Sequence, residues 1–198
     1  VKDFAGARNF AMEQVPHGAE IFIYWQDADD VLQNGEQLRP IAQEMFERGI
    51  AASYFDYWYA VDLDDSGKVR EIVINHKRER IIRNDHSFLW IGPLHETLIK
   101  QRQENVVMVS RKECTVVHLT DSQRLDQNID RNIEILEEAA RKENHRDPRT
   151  LIYLARAYFD KAKMFEDANR KIYFDLSLNL FHEYLKGSGD FGSLSYRE

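Results

Sequence analysis

The chain has 198 residues, of which 43% are hydrophobic and 31% charged, and its net charge is −7. This composition is globular, fits one domain or one domain with an appendage, and argues against a nucleic-acid-binding surface. The single cysteine, Cys114, excludes a disulfide framework and suits a reducing, cytoplasmic location, and no run of residues approaches the length of a membrane span.

The N-terminal part predicts a helix followed by a strand. Residues 3–15 carry the helical pattern, Asp3 is a plausible N-cap, and Pro16-His17-Gly18 ends the helix. The apolar run from Ala19 to Trp25 then predicts a buried strand, because it is rich in β-formers and bounded by polar turn residues.

Three acids follow this strand directly, at Asp27, Asp29 and Asp30. In open α/β sheets ligands bind beyond the carboxyl ends of the strands, so the acids lie where a site is expected. Carboxylates packed this closely repel one another and raise each other's pKa values, a cost that Mg²⁺ or Mn²⁺ would remove. The alternatives are a solvated loop or the N-cap of the next helix.

The middle of the chain predicts a helix and then a β-rich region. Asn34-Gly35 and Asp64-Asp65-Ser66-Gly67 are turn sequences, the second of hairpin type. The predicted elements are, in order, a helix from Leu38 that ends at Gly49 and strands over Ile50–Asp62, Val69–Asn75, Arg80–Arg83, Phe88–Ile91, Val106–Val109 and Cys114–Leu119.

From Asp121 to Leu185 the pattern is helical. Asp147-Pro148 opens the second of three predicted helices, and the segment after Lys186, rich in Gly and Ser, predicts a loose tail. The predicted apolar stripes are Ile129, Ile133, Leu136 and Ala140; Leu151, Leu154, Ala155 and Tyr158; and Ile172, Leu176, Leu180 and Tyr184. Such helix pairs suggest tetratricopeptide-like packing, with an ordinary helical hairpin as the alternative.

Four segments, taken in order, resemble family two glycosyltransferases of the GT-A fold, in the bacterial and phage branch that carries C-terminal tetratricopeptide-like helices. The segments are Asp3–Asn9, Tyr24–Leu32, Arg80–Asn84 with Phe88–Glu96, and Val116–His118 with Asp130–Asn132. The resemblance implies an α/β domain over residues 1–120 with a partial GT-A-like mixed sheet and flanking helices, and a helical tetratricopeptide-like segment over residues 121–198.

The chain departs from this family in two respects. The N-terminal strands that hold the nucleotide base are absent, and Gln26 stands where an apolar residue is usual. Because the chain also begins at Val1 rather than at methionine, we expect it to be a fragment of a longer transferase.

The resemblance implies a metal and nucleotide site. Asp29 would bind Mn²⁺ or Mg²⁺ directly, Asp27 would bind the metal or lie nearer the ribose or a metal-bound water, and His118 would complete the metal site. Arg8 and Asp3 would contact the nucleotide, Arg8 through the diphosphate, because a guanidinium matches phosphate bidentately. Asp30 is either a supporting acid or a helix N-cap, and the alternative for His118 is a half-buried strand histidine.

The resemblance also implies the groups that meet the sugar and the acceptor. Glu96 would be the general base of an inverting transfer, because one carboxylate must take the acceptor's proton. Trp90 would stack on a sugar ring, and His95 would contact substrate. The alternatives are a helix N-terminal acid for Glu96 and plain core for Trp90. Arg80 and Arg83 are further diphosphate candidates, with surface charges as the alternative.

Two classes of function follow. The first is a hexosyltransferase-like enzyme that moves a sugar from a nucleotide donor, UDP-linked by expectation, to a hydroxyl or thiol of a glycan, peptide or other acceptor. The second is a non-catalytic module that binds a protein or peptide through the C-terminal helices. The aromatic run from Tyr54 to Tyr59 and the helical hairpin favour the second class slightly. The chain carries no Gly-rich phosphate loop and no zinc spacing of Cys and His.

Overall fold

The computed structural model describes residues 2–101, 106–119, 125–142 and 147–187. These residues form a mixed α/β structure with a mixed parallel and antiparallel sheet and five α-helices. The chain divides into two compact units. The sheet unit holds Gly6–Ile91 and the two strands that follow Glu96, and the helical unit holds the residues before Gly6, Gly92–Glu96 and the last three helices.

The described elements are helices α1 (Phe4–Glu13), α2 (Leu38–Glu47), α3 (Leu125–Lys142), α4 (Pro148–Lys163) and α5 (Ala168–Gly187), and strands β1 (Phe22–Tyr24), β2 (Asp30–Gln33), β3 (Ile50–Leu63), β4 (Val69–Arg83), β5 (Phe88–Ile91), β6 (Thr97–Lys100) and β7 (Val107–His118). A 3-10 turn over Gly35–Gln37 precedes α2.

The sheet unit is built on a five-stranded sheet in the order β1-β4-β3-β7-β2. Strands β3 and β7 are parallel, and every other adjacent pair is antiparallel. The turn predicted at Asp64–Gly67 joins β3 to β4, where Asp64 Oδ1 accepts hydrogen bonds from the backbone N–H groups of Ser66 and Lys68. Strands β5 and β6 pair as a separate two-stranded sheet.

Side chains on the five-stranded sheet alternate between its two faces, and they form two packed hydrophobic clusters. One cluster joins Ile41 and Met45 of α2 to Phe55, Ile81 and other sheet residues. The other joins Ile82 to Ala51, Ala52 and Phe88. Because neighbouring residues of a strand point to opposite faces, Ile81 and Ile82 enter different clusters. The spacing of apolar residues that predicts α2 agrees with the burial of Ile41 and Met45, whereas Phe46 is exposed.

Several strand predictions need correction. The predicted buried strand over Ala19–Trp25 is a three-residue edge strand, β1, whose residues are half-buried and pair antiparallel with β4. The pieces predicted at 69–75 and 80–83 are one strand, β4, and those at 106–109 and 114–119 are one strand, β7. Strands β2 and β6 were not predicted, because runs of four residues carry too little periodic signal.

In the helical unit α4 packs against both α3 and α5. The predicted α4 stripe is confirmed, since Leu151, Leu154, Ala155 and Tyr158 are all buried. The predicted α5 stripe is wrong at Ile172 and Leu176, which are 54% and 39% exposed. Apolar residues lie all round α5, so their spacing did not single out one face. The predicted tail after Lys186 lies outside the described residues, except Gly187 at the end of α5.

No helix among the described residues has the length and apolar character that crossing a membrane requires.

The N-cap of α4 provides a test of the helical unit. Asp147 accepts hydrogen bonds from the backbone N–H groups of Arg149 and Thr150 and from the Thr150 hydroxyl. We expect Asp147→Ala to lower the free energy of unfolding by about 0.5–2 kcal/mol, because capping donors lose their acceptor. Urea denaturation measures the loss. The control is Asp160→Ala, which removes an exposed ion pair with Lys163 and should change stability by less than about 0.5 kcal/mol.

Candidate metal centre

The acidic segment lies on a connection that crosses the sheet. Strands β1 and β2 are its two opposite edges, so the five residues between Tyr24 and Asp30 must pass the three strands that separate them. Each of those strands contributes a side chain that meets the connection: Arg80 from β4, Tyr57 from β3 and His118 from β7. The strand before the acids is therefore an edge strand and not the buried strand that was predicted, yet the acids reach a cluster of polar side chains.

Asp30 is the centre of this cluster. It opens β2 directly opposite His118, which ends β7. Its Oδ1 accepts from the Tyr57 hydroxyl at 3.1 Å and lies 3.1 Å from His118 Nδ1. Its Oδ2 lies 2.9 Å from Arg80 Nη1 and accepts from the backbone N–H of Asp27 at 3.1 Å. Since a carboxylate offers about four acceptor positions, these partners fill its capacity.

The charges of this cluster are buried together. The side chains of Arg80 and Asp30 are 1% and 0% exposed. Burial alone would raise the pKa of Asp30, but the hydrogen bond with His118 and the positive charge of Arg80, together with the Asp27 and Tyr57 hydrogen bonds, lower it. The expectation that the neighbouring acids raise its pKa is therefore wrong for Asp30, because the His118 hydrogen bond, the charge of Arg80 and the other hydrogen bonds together outweigh the effect of burial.

The same cluster shifts His118 and Tyr57 in the opposite direction. The hydrogen bond to Asp30 raises the pKa of His118, burial opposes that rise, and the charges of Asp29, Asp30 and Asp27 add to it. Burial is the main reason that the pKa of Tyr57 is raised, and the negative charge of Asp30 adds to the effect. Tyr57 therefore stays neutral and donates its hydroxyl proton to Asp30 at ordinary pH.

A layer of aromatic rings and guanidinium groups lies beside the acidic connection. The guanidinium carbons of Arg8 and Arg80 each lie 4.3 Å from the ring centroid of Trp25, within the range of a cation–π contact. Trp25 also packs edge-on against Trp90, with ring centroids 4.8 Å apart. Arg8 Nη2 is 2.7 Å from Asp27 Oδ1. This layer fixes where the connection runs before it reaches Asp29.

Asp29, Asp30 and His118 carry ligand atoms that all lie within 4.8 Å of one another. The side chain of Asp29 is 56% exposed, and its Oδ1 is 3.7 Å from His118 Nδ1. Neighbouring donors that share one ion at ordinary ligand distances are roughly 3 Å apart. A carboxylate and an imidazole suit Mn²⁺, so this donor set fits the predicted cation. Because Asp30 is already saturated, Asp29 and His118 are the residues able to hold it.

Within the sheet unit the structure brings together only part of the predicted site. Asp29 and His118 are adjacent, whereas Asp27 pairs with Arg8 and is not in the ligand group. The N-cap alternative for Asp30 is wrong, because the residue opens a strand and not a helix. Trp90 is 2% exposed and belongs to the packed layer, as its core alternative states. Arg83 pairs with Asp85 at 2.7 Å.

The remaining predicted residues belong to the helical unit. The His95 backbone has φ 52° and its ring stacks on Tyr153 with centroids 4.3 Å apart. The His95 carbonyl accepts a hydrogen bond from Arg149 at 2.6 Å. Glu96 is half-buried and Asp3 is exposed. The roles assigned to these three residues stay predictions.

Two functional residues of the cluster were not recognised from sequence. Arg80 was considered only as a diphosphate contact, but it is buried against Asp30, and Tyr57 was considered only as part of an aromatic run. No local signal in the sequence marks either role, because the shared partner Asp30 is distant in the chain from both residues.

No protein-family model matches this chain, and no curated protein matches it at a significant level.

The buried ion pair makes a direct prediction. Asp30→Asn keeps the side-chain shape but leaves Arg80 buried without its counter-charge, and we expect it to lower the free energy of unfolding by about 3–5 kcal/mol. Asp29→Asn, one residue away and exposed, is the matched control and should cost less than about 0.5 kcal/mol. Urea denaturation of both variants measures the difference. Equal, small losses in the two variants would contradict the assignment.

The pKa shifts predict how this difference depends on pH. The lowered pKa of Asp30 gives stability that is present above its ordinary value of 3.8 and is lost as the pH falls through the folded value. The raised pKa of His118 gives stability that is present below its ordinary value of 6.5 and is lost as the pH rises through the folded value. The stability gap between the wild type and Asp30→Asn should therefore be largest between pH 3.8 and 6.5. Urea denaturation across pH 3–9 measures it, and a gap independent of pH would contradict the coupling.

Proposed function

We propose that this chain is part of a cation-dependent glycosyltransferase that moves a sugar from a nucleotide donor to a hydroxyl or thiol acceptor. The donor is proposed to be UDP-linked, the cation Mn²⁺ or Mg²⁺, and the transfer inverting. The proposal includes a partial GT-A-like arrangement of the sheet unit and a tetratricopeptide-like arrangement of the last three helices. Its motivation is the ordered set of four segments that resemble family two glycosyltransferases.

The observation that carries the proposal is the ligand group of Asp29, Asp30 and His118. Asp29 is exposed, whereas the neighbouring Asp30 is buried and its carboxylate has all its acceptor positions filled by hydrogen bonds. The contact with Asp30 orients the His118 ring, so Asp29 is not needed for that task and its carboxylate can bind a cation. When bound there, a divalent cation would supply positive charge to a diphosphate and to the leaving group.

The residues of the chain have separate proposed tasks. Asp29 and the His118 ring nitrogen that does not contact Asp30 bind the cation, and Asp30 orients His118 through the 3.1 Å contact with Nδ1. Arg8, which pairs with Asp27 at 2.7 Å, is proposed to exchange this carboxylate for a diphosphate oxygen, since guanidinium binds both. Asp27 then becomes available to the ribose.

The chemical step is assigned to Glu96 on the resemblance alone. Glu96 would take the proton of the acceptor while the acceptor oxygen or sulfur attacks the sugar carbon from the face opposite the nucleotide. His95 is proposed to contact substrate, and Asp3 to contact the nucleotide. For Trp90, stacking on a sugar would first require the buried ring to become accessible, so we assign it to support of the site.

Replacement of the exposed acid tests the proposal. We expect the full-length protein that contains this chain to release UDP from UDP-sugars in the presence of Mn²⁺. Asp29→Asn in that protein should reduce this turnover by at least about 100-fold, because one carboxylate ligand is lost. Coupled UDP-release assays measure turnover, and calorimetry measures Mn²⁺-dependent UDP binding. Asp65→Asn, in the exposed turn between β3 and β4, is the matched control and should keep full activity.

Glu96→Gln separates binding from chemistry. It should abolish turnover but leave the calorimetric affinity for UDP and Mn²⁺ unchanged, because a general base does not hold the donor. Unchanged turnover in Asp29→Asn would contradict the proposed cation site, and unchanged turnover in Glu96→Gln would contradict only the proposed base.

A groove in the helical unit favours a second candidate, a peptide-binding module. Its volume is about 330 Å³, its apolar lining comes from Leu154, Leu176 and Leu180, and Arg141 and Asn179 are among its polar lining residues. Such a groove offers apolar contact with a few orienting polar groups. Heat on addition of a partner peptide, combined with no heat on addition of UDP and Mn²⁺, would favour this candidate over sugar transfer.

A further inference from the structure

A second group of metal-ligand side chains lies in the sheet unit and shares no residue with the acidic connection. It consists of Glu13 at the end of α1, His17 in the turn that follows and His86 in the turn between β4 and β5. Their ligand atoms all lie within 4.8 Å of one another. Glu13 Oε2 is 3.3 Å from His17 Nε2, and the two imidazole rings stack with centroids 4.0 Å apart.

The two histidine-bearing turns are held together by a third side chain. Asn84 is 2% exposed, and its Nδ2 donates to the carbonyls of Val15 at 3.1 Å and Pro16 at 3.0 Å. The backbone carbonyl of Asn84 accepts a hydrogen bond from the backbone N–H of Gly18 at 2.9 Å. These bonds hold the backbone on both sides of His17. Asn84 itself lies two residues before His86, so it ties the two turns together. The proximity of the two histidine backbones is therefore fixed by buried hydrogen bonds. The exposed rings turn out of their mutual stack to share one ion, because each nitrogen binds a metal in the plane of its own ring.

The second turn holds His86 in an uncommon backbone conformation. Its φ is 62°, in the left-handed region, where Asn, Asp and His are enriched among the few residues other than Gly that adopt it. Asp85 stabilises the turn, since Oδ1 accepts from Ser87 N at 3.1 Å and Oδ2 accepts from Arg83 Nε at 2.7 Å. The imidazole of His86 is thus presented by a turn that is itself tied to the end of β4.

The chemistry of this donor set selects the metal class. Two imidazole nitrogens and one carboxylate oxygen suit a borderline ion such as Zn²⁺, whereas Mg²⁺ and Ca²⁺ prefer oxygen ligands throughout. All three residues are exposed, so an ion reaches them from solvent and a water can complete a tetrahedral shell. We propose that Glu13, His17 and His86 form a Zn²⁺-class binding site that joins the end of α1 to the β4–β5 turn.

Imidazole nitrogen resonances provide the most direct readout. In protein labelled with ¹⁵N-histidine, one equivalent of Zn²⁺ should shift the ring nitrogens of His17 and His86 together, while those of His182, an exposed histidine of α5, stay in place. The same concentration of Mg²⁺ should shift neither His17 nor His86. Assignment comes from the single variants His17→Ala and His86→Asn.

Two variants test whether the three residues act as one site. His86→Asn keeps a residue that tolerates the left-handed conformation, and we expect it to weaken Zn²⁺ binding, followed at His17, by at least about tenfold. Glu13→Gln should weaken it as well, and the control His182→Asn should leave it unchanged. Zn²⁺ should raise the melting temperature of the wild type but not that of His86→Asn, whose metal-free melting temperature shows whether the fold is intact.

The proposal is overturned if His17 and His86 keep their metal-free resonances while Zn²⁺ saturates the protein, or if only one of them responds. It is also overturned if the His86→Asn variant folds and its His17 binds Zn²⁺ with the same affinity as in the wild type. None of these results bears on sugar transfer, because the Asp29 and His118 site is tested separately by Mn²⁺-dependent turnover.

Discussion

The buried ion pair between Asp30 and Arg80 is the constraint on which the candidate site depends. Two opposite charges with almost no exposure must satisfy each other, because neither has water as an alternative partner. This requirement fixes the point where the connection from β1 enters β2, opposite the end of β7. It also turns His118 toward the acids and leaves Asp29 exposed. The carboxylate of Asp30, which pairs with Arg80 in the sheet, therefore also positions His118 next to Asp29.

Local chemistry made a large part of the fold predictable. The Asp64–Gly67 turn, the Asp147 cap and the α4 stripe are confirmed because each depends on residues close in sequence. The errors concern pairing. An apolar run cannot tell an edge strand from a central one, so β1 was predicted as buried. Strand β4 was divided into two pieces because its middle residues are exposed on a long hairpin and lack a consistent pattern.

The sequence predicted two residues of the candidate site, Asp29 and His118, but not the structural reason that they lie together. The adjacency of Asp29 and His118 agrees with the sequence resemblance, but the supposed reason, a buried strand ending in acids, is wrong because β1 is a half-buried edge strand. What sequence could not reveal was the buried counter-charge. The partners of Asp30 come from strands distant in the chain, and the hydrogen bond with His118 and the charge of Arg80 together invert the expected pKa direction of Asp30. Long-range electrostatics of this kind has no local signature.

The site also carries unfinished polar contacts. The indole Nε1 of Trp25 and Nε of Arg80 are buried without a hydrogen-bond partner among the described residues. Buried donors without a partner cost stability. The His17 and His86 cluster, by contrast, is supported by an anchor, Asn84, that makes hydrogen bonds to both flanking turns.

The central claim is that Asp29 and His118 share one cation that grips a nucleotide. Crystals grown with UDP and Mn²⁺ test it through anomalous scattering from manganese. The account predicts a manganese peak within about 2.0–2.3 Å of an Asp29 carboxylate oxygen and a His118 ring nitrogen, with the diphosphate on the same ion. A well-occupied nucleotide whose manganese lies out of coordination range of both residues would contradict it.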